Sequence, residues 1–318
     1  MAELINDAAV LREEEPAPSQ MPPEAPEGER AAQKPESLWK DMWYSLTQNK
    51  PAMVSLVVIS LLVIIAIVTA IAPQVLPCDP YQQDLSQSFE GPSAEHWFGT
   101  DQQGRDIFSR ILIGSQISLT VGLLSVAISL TIGVALGAIA GYKGGIVDTI
   151  IMRFMDMMLA IPSILLAIAF MAALGRGIDK AIIAIGFVSI PEYARIVRSQ
   201  ILAVKQTDYV AAARVIGDSD ATIIFRHVLP NVLPSIIVRA TLGISGAILD
   251  AAALGFLGLG VQPPAAEWGD MLGRGRNYIF RAPHAMIFPG LAITITVLAF
   301  NLLGDGIRDA FDPKARKR

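Results

Sequence analysis

Six stretches of apolar residues run along the chain, and its charges collect between them. The first, residues 52–72, reads AMVSLVVISLLVIIAIVTAIA and holds no charged side chain. Roughly 20 such residues in a helix cross the hydrocarbon core of a bilayer. Further stretches cover residues 117–140, 155–174, 178–197, the segment from just after Pro234 to about residue 259, and residues 285–303. The fourth is weakest, because Pro191 and Glu192 interrupt it and Arg195 follows; its second half is expected to project out of the lipid. The pattern predicts an all-α, polytopic membrane protein with six transmembrane helices.

Composition agrees with this reading. Charged residues make up only 17% of the 318 positions, against about 25% in a soluble domain. The net charge of -4 is unevenly spread: the first fifty residues hold ten Asp/Glu against five Lys/Arg. Residues 1–36 carry six prolines and few large apolar side chains. Such a segment cannot bury enough surface to offset its ordering entropy, so it reads as a disordered acidic tail. It lacks the basic start and apolar core of a cleavable signal peptide. Trp39, Trp43 and Tyr44 beside Lys40 and Lys50 then predict a short helix at the membrane surface.

Lys and Arg set the orientation. With a cytoplasmic N-terminus, fourteen Lys/Arg lie in or beside inside segments and seven outside. The bias places both termini in the cytoplasm, with the closing KARKR read as a juxtamembrane cluster and not a nucleic-acid patch. The loop over residues 73–116 then faces outward, and residues 208–234 face the cytoplasm. The expected organisation is a tail (1–36), an interfacial helix with the first span and outer loop (37–114), a five-helix core (115–304), and a basic tail (305–318).

Glycines recur in the spans, and Gly133 with Gly137 forms a small-xxx-small pattern that lets helix backbones approach closely. Charges inside spans are costly and point to function. Asp156, Arg239 and Asp250 are the candidates, on a translocation path or as polar anchors. Arg239 and Asp250 are eleven residues apart, about 16 Å along a helix and too far to pair. In the outward loop, Asp101, Arg105, Asp106 and Arg110 predict a short amphipathic helix on the outer membrane face, with Asp106 and Arg110 spaced as on one helix face.

No G-x-x-x-x-G-K-[ST], G-x-S-x-G or H-E-x-x-H stretch occurs, so no catalytic residue is assigned and energy must come from a partner or an ion gradient. The single cysteine, Cys78, excludes an internal disulfide and a cysteine-based metal cluster. His96, His227 and His284 lie far apart in sequence and read as loop or helix-end residues, with no metal site among them.

Residues 208–234, DYVAAARVIGDSDATIIFRHVLPNVLP, separate two apolar runs with a small, sharply bounded amphipathic helix. Asp208 can cap it. Tyr209, Ala212, Ala213 and Ile216 form one apolar stripe, and Gly217 stops it with a left-handed turn. Asp218, Ser219 and Asp220 offer caps for a second helix, which Pro230 and Pro234 are expected to close.

This stretch resembles the EAA loop of ABC importer permeases, a pattern of EAA, three residues, Gly, nine residues and Ile-x-Leu-Pro. Ala211, Ala212, Ala213, Gly217, Leu229 and Pro230 fall at its spacing; Ala211 stands at the usual Glu and His227 at the Ile. Other stretches are similar to dipeptide/oligopeptide permease C subunits: FGTDQQGRDIFSRILIGSQISLTVGLL, GYKGGIVDTIIMRFMDMMLAIPSILLAIA, ALGFLGLGVQPPAAEWGDML and FPGLAITITVLAFNLLGDGIRDAFDP. Gln116 replaces a frequent Arg and Ala251 a frequent acid. The resemblance, over about residues 50–313, implies a type I ABC importer permease bundle (MetI-like). It implies a second permease subunit of the B type, two cytoplasmic ATPase subunits that use ATP and magnesium, and an extracytoplasmic substrate-binding protein. The chain itself would bind no cofactor. Di- or oligopeptides are the implied cargo; relatives carry nickel, glutathione and other small solutes. From other classes, an ion-gradient-driven secondary transporter lacks support from any internal repeat. An intramembrane protease rests only on the GDG at residues 304–306.

Overall fold

The structure, a computed structural model, describes residues 38–311, with side chains from Met42 onward. The acidic tail and residues 312–318 lie outside the described residues. The chain divides into two units, Met1–Lys40 and Asp41–Arg318. Of the first unit only Leu38–Lys40 are described, as the opening turn of a helix; the other described elements belong to the second.

Among the described residues, apart from short 3-10 turns, ten helices occur in order: α1 (Leu38–Gln48), α2 (Lys50–Ile71), α3 (Ile107–Lys143), α4 (Gly145–Leu159), α5 (Ser163–Leu174), α6 (Ile178–Val204), α7 (Asp208–Ile216), α8 (Asp220–Phe256), α9 (Trp268–Gly275) and α10 (His284–Phe311). The described residues contain no β-strand beyond one isolated bridge.

Among the described residues four helices, α2, α3, α8 and α10, are long and apolar enough to cross a membrane, with the bent pair α4 and α5 as a fifth if it counts as one span. The expected count of six is therefore not matched in full. The third span is not one rod, since α4 and α5 meet at 91°. Pro162 stands at the N-cap of α5; a proline disfavours helical geometry at the residue before it and supplies no N–H. The fourth, α6, is long enough but carries Glu192, Arg195 and Arg198 along its second half.

The helices α3 and α6 form the spine. Gly133, Gly137 and Gly141 lie one turn apart along α3, facing α6. A Cβ on Gly133 would sit 2.5 Å from Tyr193 Cβ, one on Gly137 would collide with the Ala194 carbonyl, and one on Gly141 would come within 3.1 Å of Ile201 Cβ. The small-residue stripe is thus a helix–helix contact, as its spacing predicts. Around it, α5 and α8 complete a core of Val121, Ala184, Ile185, Val188 and Leu254. On α2, by contrast, Val54, Val57, Leu61, Ile64 and Ile71 are more than half exposed, as expected of a lipid-facing helix.

The loop after α2 differs from expectation. No separate amphipathic helix forms over residues 101–110: the segment turns at Thr100–Asp106 through an isolated bridge, and Asp106 is the N-cap of α3, accepting the Ser109 N–H at 2.7 Å. Arg105, Asp106 and Arg110 are at most 4% exposed. Each has at least one polar partner, which offsets much of the cost of burial, although Arg110 Nε has no hydrogen bond. Arg105 meets Asp101 at 2.7 Å, Arg110 donates to the Pro80 carbonyl at 2.9 Å, and Asp106 faces His96 at 3.0 Å. Asp106 and Arg110 are not partners; capping takes the carboxylate elsewhere. The loop closes over the end of the bundle through Phe98 stacked on Phe288, and α9 seats there with the Trp268 indole N–H bonded to the Ile111 carbonyl.

Candidate functional site

At the other end of α3, α7 projects beyond the last turns of α3 and α6. Thr207 is its N-cap position and Asp208 its first residue, so Asp208 acts through its charge at the helix N-terminus and not as the capping side chain. Gly217 ends the helix at φ +94°, ψ 18°, and the Asp218 N–H reaches back to the Ala213 carbonyl at 3.1 Å. That left-handed turn favours glycine.

Two faces of α7 have different work. Val210 and Ala213, one turn apart, are buried against Ile201, Ile223, Val228 and Val232. Tyr209, Ala211, Ala212, Val215 and Ile216 are exposed, Val215 at 88% and Ile216 at 82%. The expected stripe is therefore divided: Ala213 holds the helix to the bundle, while Tyr209, Ala212 and Ile216 face away. Phe225, 70% exposed, adds to the apolar surface of this end.

Side chains that sequence reasoning did not connect pin this element. The Tyr142 hydroxyl, in the last turn of α3, donates to Asp220 at 2.9 Å. Lys205 and Arg214 sit over the Tyr142 ring at 5.5 and 5.3 Å, and the Lys205 ammonium also bonds the Tyr142 carbonyl. His227 meets Asp218 at 3.1 Å. Nearby, Arg198 forms a two-pronged pair with Asp148, at 2.5 and 2.6 Å. These partners are 9 to 78 residues apart, so no local pattern reveals them.

The second helix of this segment does not end at Pro230 or Pro234. It runs on as α8, through a wide π stretch at Ile223–Val228. A proline clashes with the carbonyl one turn back and lacks an N–H, and a π stretch directly before Pro230 loosens that turn. Ser219 is the cap, accepting the Thr222 N–H at 3.2 Å. Leu229 packs beside the Val228 cluster and Pro230 is exposed.

A second feature lies within the bundle, a cavity of about 310 Å³ between α3, the turn that joins α4 to α5, α6 and α8. Glu192, Tyr193, Arg239 and Asp250 line it, with Ser125 and Ser129. Arg239 pairs with Glu192 and lies 5.5 Å over the Tyr193 ring. Its partner is thus Glu192 of α6 and not Asp250, as the helical spacing requires. Among the described residues the Tyr193 hydroxyl and Arg239 Nε have no hydrogen-bond partner. Gly246 opens onto the cavity, since a Cβ there would meet nothing within 4 Å. Asp156 is not part of the lining; it pairs with Arg195 at 2.7 Å, both more than half exposed, which contributes at most about 1 kcal/mol.

The comparisons with known proteins agree with this architecture. Residues 133–317 match the family described as "Binding-protein-dependent transport system inner membrane component", and residues 37–92 match "N-terminal TM domain of oligopeptide transport permease C". The chain is 47% identical over 301 residues to the dipeptide transport system permease protein DppC of Alkalihalophilus pseudofirmus, covering 95% of this chain and 96% of that one. It is 47% identical over 279 residues to the glutathione transport system permease protein GsiD of Pectobacterium atrosepticum, covering 87% and 92%. A solved structure of the MetNI methionine ABC transporter, in an inward-facing conformation, superposes with a TM-score of 0.54 at 21% identity, over 64% of this chain and 97% of that one; it speaks to the fold alone. The chain therefore belongs to the binding-protein-dependent transport system inner membrane component family, as a multi-pass permease of the ABC importer type.

Proposed function

We propose that this chain is the C-type permease subunit of an ATP-driven importer for di- or oligopeptides. It forms half of a transmembrane pore with a B-type permease and meets two cytoplasmic ATPase subunits. An extracytoplasmic binding protein delivers cargo from the far side. The proposed site is the cytoplasmic (inner) membrane with both termini inside. ATP and magnesium act on the ATPase subunits.

One observation carries the reading: α7 turns an apolar face of Tyr209, Ala212, Val215 and Ile216 outward while Val210 and Ala213 anchor it to the bundle. The exposed face seats in the ATPase, and ATP-driven closure moves α7 as one body with the ends of α3 and α8, through Tyr142, Asp220 and the Val228 cluster. Alanine at 211–213 suits this, since small side chains let a partner approach and lose little entropy. The cavity then offers passing cargo a paired cation and anion, Arg239 and Glu192, with Asp250 beyond. Both ends of a zwitterionic peptide find a counter-charge there, and glutathione, the cargo named for one relative, fits the same chemistry.

The test is co-purification and uptake. Deleting residues 208–217 is expected to release the ATPase subunits and abolish ATP-dependent peptide uptake, while the chain still inserts. Retained ATPase association, or uptake with no ATPase present, removes the reading.

A further inference from the structure

The loop between α2 and α3 brings together three side chains that the sequence keeps apart. Cys78 follows α2, His96 lies mid-loop, and Asp106 caps α3. One donor atom from each lies within 4.8 Å of the other two. His96 and Asp106 are buried, and Cys78 is half-buried. This end of the molecule is about 50 Å of helix away from α7.

The hydrogen bonding around His96 defines what the cluster needs. Its Nε2 lies 3.2 Å from the Gln87 side-chain oxygen, a contact that fixes the orientation of the ring. Its Nδ1 lies 3.0 Å from Asp106 Oδ1. The ring nitrogen and the carboxylate oxygen are close enough to share one ligand, a proton or a metal cation. Cys78, whose thiol donates to the Glu95 carbonyl at 3.7 Å, brings a sulfur donor to the same point and completes a sulfur, nitrogen and oxygen set. Such a set suits zinc and its neighbours, with three protein ligands and one open position.

The ligands are also held. The Ser109 N–H donates to Asp106 Oδ2 at 2.7 Å, and Ser109 Oγ accepts the Cys78 N–H at 3.2 Å. Gln87 orients the imidazole from its far nitrogen, the arrangement that outer partners give to metal-bound histidines. A polar cavity of about 370 Å³ opens beside the cluster, lined by Asp79, Asp84 and Glu95. Their negative charge favours a cation at its mouth.

We propose that Cys78, His96 and Asp106 bind one divalent, thiophilic metal ion of the zinc, cobalt and nickel class, which clips the loop between α2 and α3 to the N-terminus of α3. The ion binds His96 Nδ1, Asp106 and the Cys78 thiolate, and both the thiol proton and the proton shared by His96 and Asp106 are released to solvent. The fourth position holds water at the cavity mouth.

Cobalt is the probe. The full chain is purified, stripped with chelator and titrated with Co2+. Wild type is expected to show a thiolate-to-cobalt charge-transfer band that saturates at a single ion per chain and is displaced by Zn2+. Zn2+ is also expected to slow proteolysis of the loop. Cys78→Ser, nearly isosteric, removes the band and weakens binding about tenfold or more; Gln87→Ala weakens it about tenfold with the band intact. A wild-type titration with no thiolate band overturns the proposal. So does equal Zn2+ binding by Cys78→Ser, or a nitrogen spectrum showing both His96 ring nitrogens protonated under saturating Zn2+.

Discussion

The Tyr142 hydroxyl donates a 2.9 Å hydrogen bond to Asp220, tying the last turn of α3 to the first residue of α8 across 78 positions of sequence. The bond joins the spine of the bundle to the segment that carries α7. In the proposed relay this bond is a direct link from the α7 segment to α3. Tyr142→Phe keeps the ring that Lys205 and Arg214 cover and loses only the bond, worth about 1 kcal/mol. The expected outcome is unchanged assembly with ATPase subunits but less uptake per ATP hydrolysed, read by paired transport and hydrolysis assays on reconstituted complex. Unchanged coupling would show that the bond is not part of the relay.

The exposed face of α7 can be altered without disturbing the fold. Val215→Asp and Ile216→Asp add charge to side chains that bury nothing in this chain, so thermal unfolding is expected to shift by no more than about 0.5 kcal/mol. ATPase subunits, in contrast, should no longer co-purify. Ala213→Asp, on the buried face, should instead destabilise the chain itself.

Gly137 leaves no room for a side chain, because a Cβ would collide with the Ala194 carbonyl and lie 3.0 Å from Val197 Cβ. Gly137→Leu forces α3 and α6 apart at their closest approach. Loss of about 3 kcal/mol or more is expected, read as a lower thermal midpoint and poor insertion. A midpoint like that of wild type would mean the two helices do not pack through this stripe.

Glu192 and Arg239 pair across the cavity wall. Glu192→Gln leaves a cation facing the cavity, and peptide uptake is expected to fall with assembly intact. The charge-swapped double variant, Glu192→Arg with Arg239→Glu, should restore more uptake than either single change permits. No rescue, measured against both single variants, would show that the pairing itself is not required.

Glu267 caps α9, its two oxygens accepting the Gly269 and Asp270 N–H groups at 2.8 Å. Burial outweighs those bonds and, helped by the nearby Asp270 charge, raises its pKa from 4.5 to about 7. A carboxyl that holds its proton more tightly when folded stabilises the fold at low pH. That contribution is complete below the unfolded value near 4.5 and lost as pH rises through 7. Between pH 5 and 8 the wild-type thermal midpoint is therefore expected to fall, by up to about 3 kcal/mol of stability, with Glu267→Gln much flatter. Parallel curves for the two proteins would refute this.

The chain's apolar runs and glycine spacing were enough to read an all-helical membrane protein and a close-packing small-residue face on α3; that α6 is its partner, and that the third apolar run is bent, came only with the structure. These follow from local rules: an apolar run of sufficient length, and one Gly per turn on one face. The end of α7 was legible for the same reason, since Gly217 can adopt the left-handed turn unaided. What the sequence could not decide was pairing at a distance. Arg239 finds Glu192, Tyr142 finds Asp220, and Cys78 comes beside His96 and Asp106 only once the helices have packed. Local rules also misplaced two boundaries. The charges over residues 101–110 look like a surface helix but are buried under a folded loop, and the prolines at 230 and 234 look like a stop but lie within α8. In the first case ion pairs and hydrogen bonds across the folded loop outweighed the local preference; in the second a π stretch just before Pro230 made room for the proline ring.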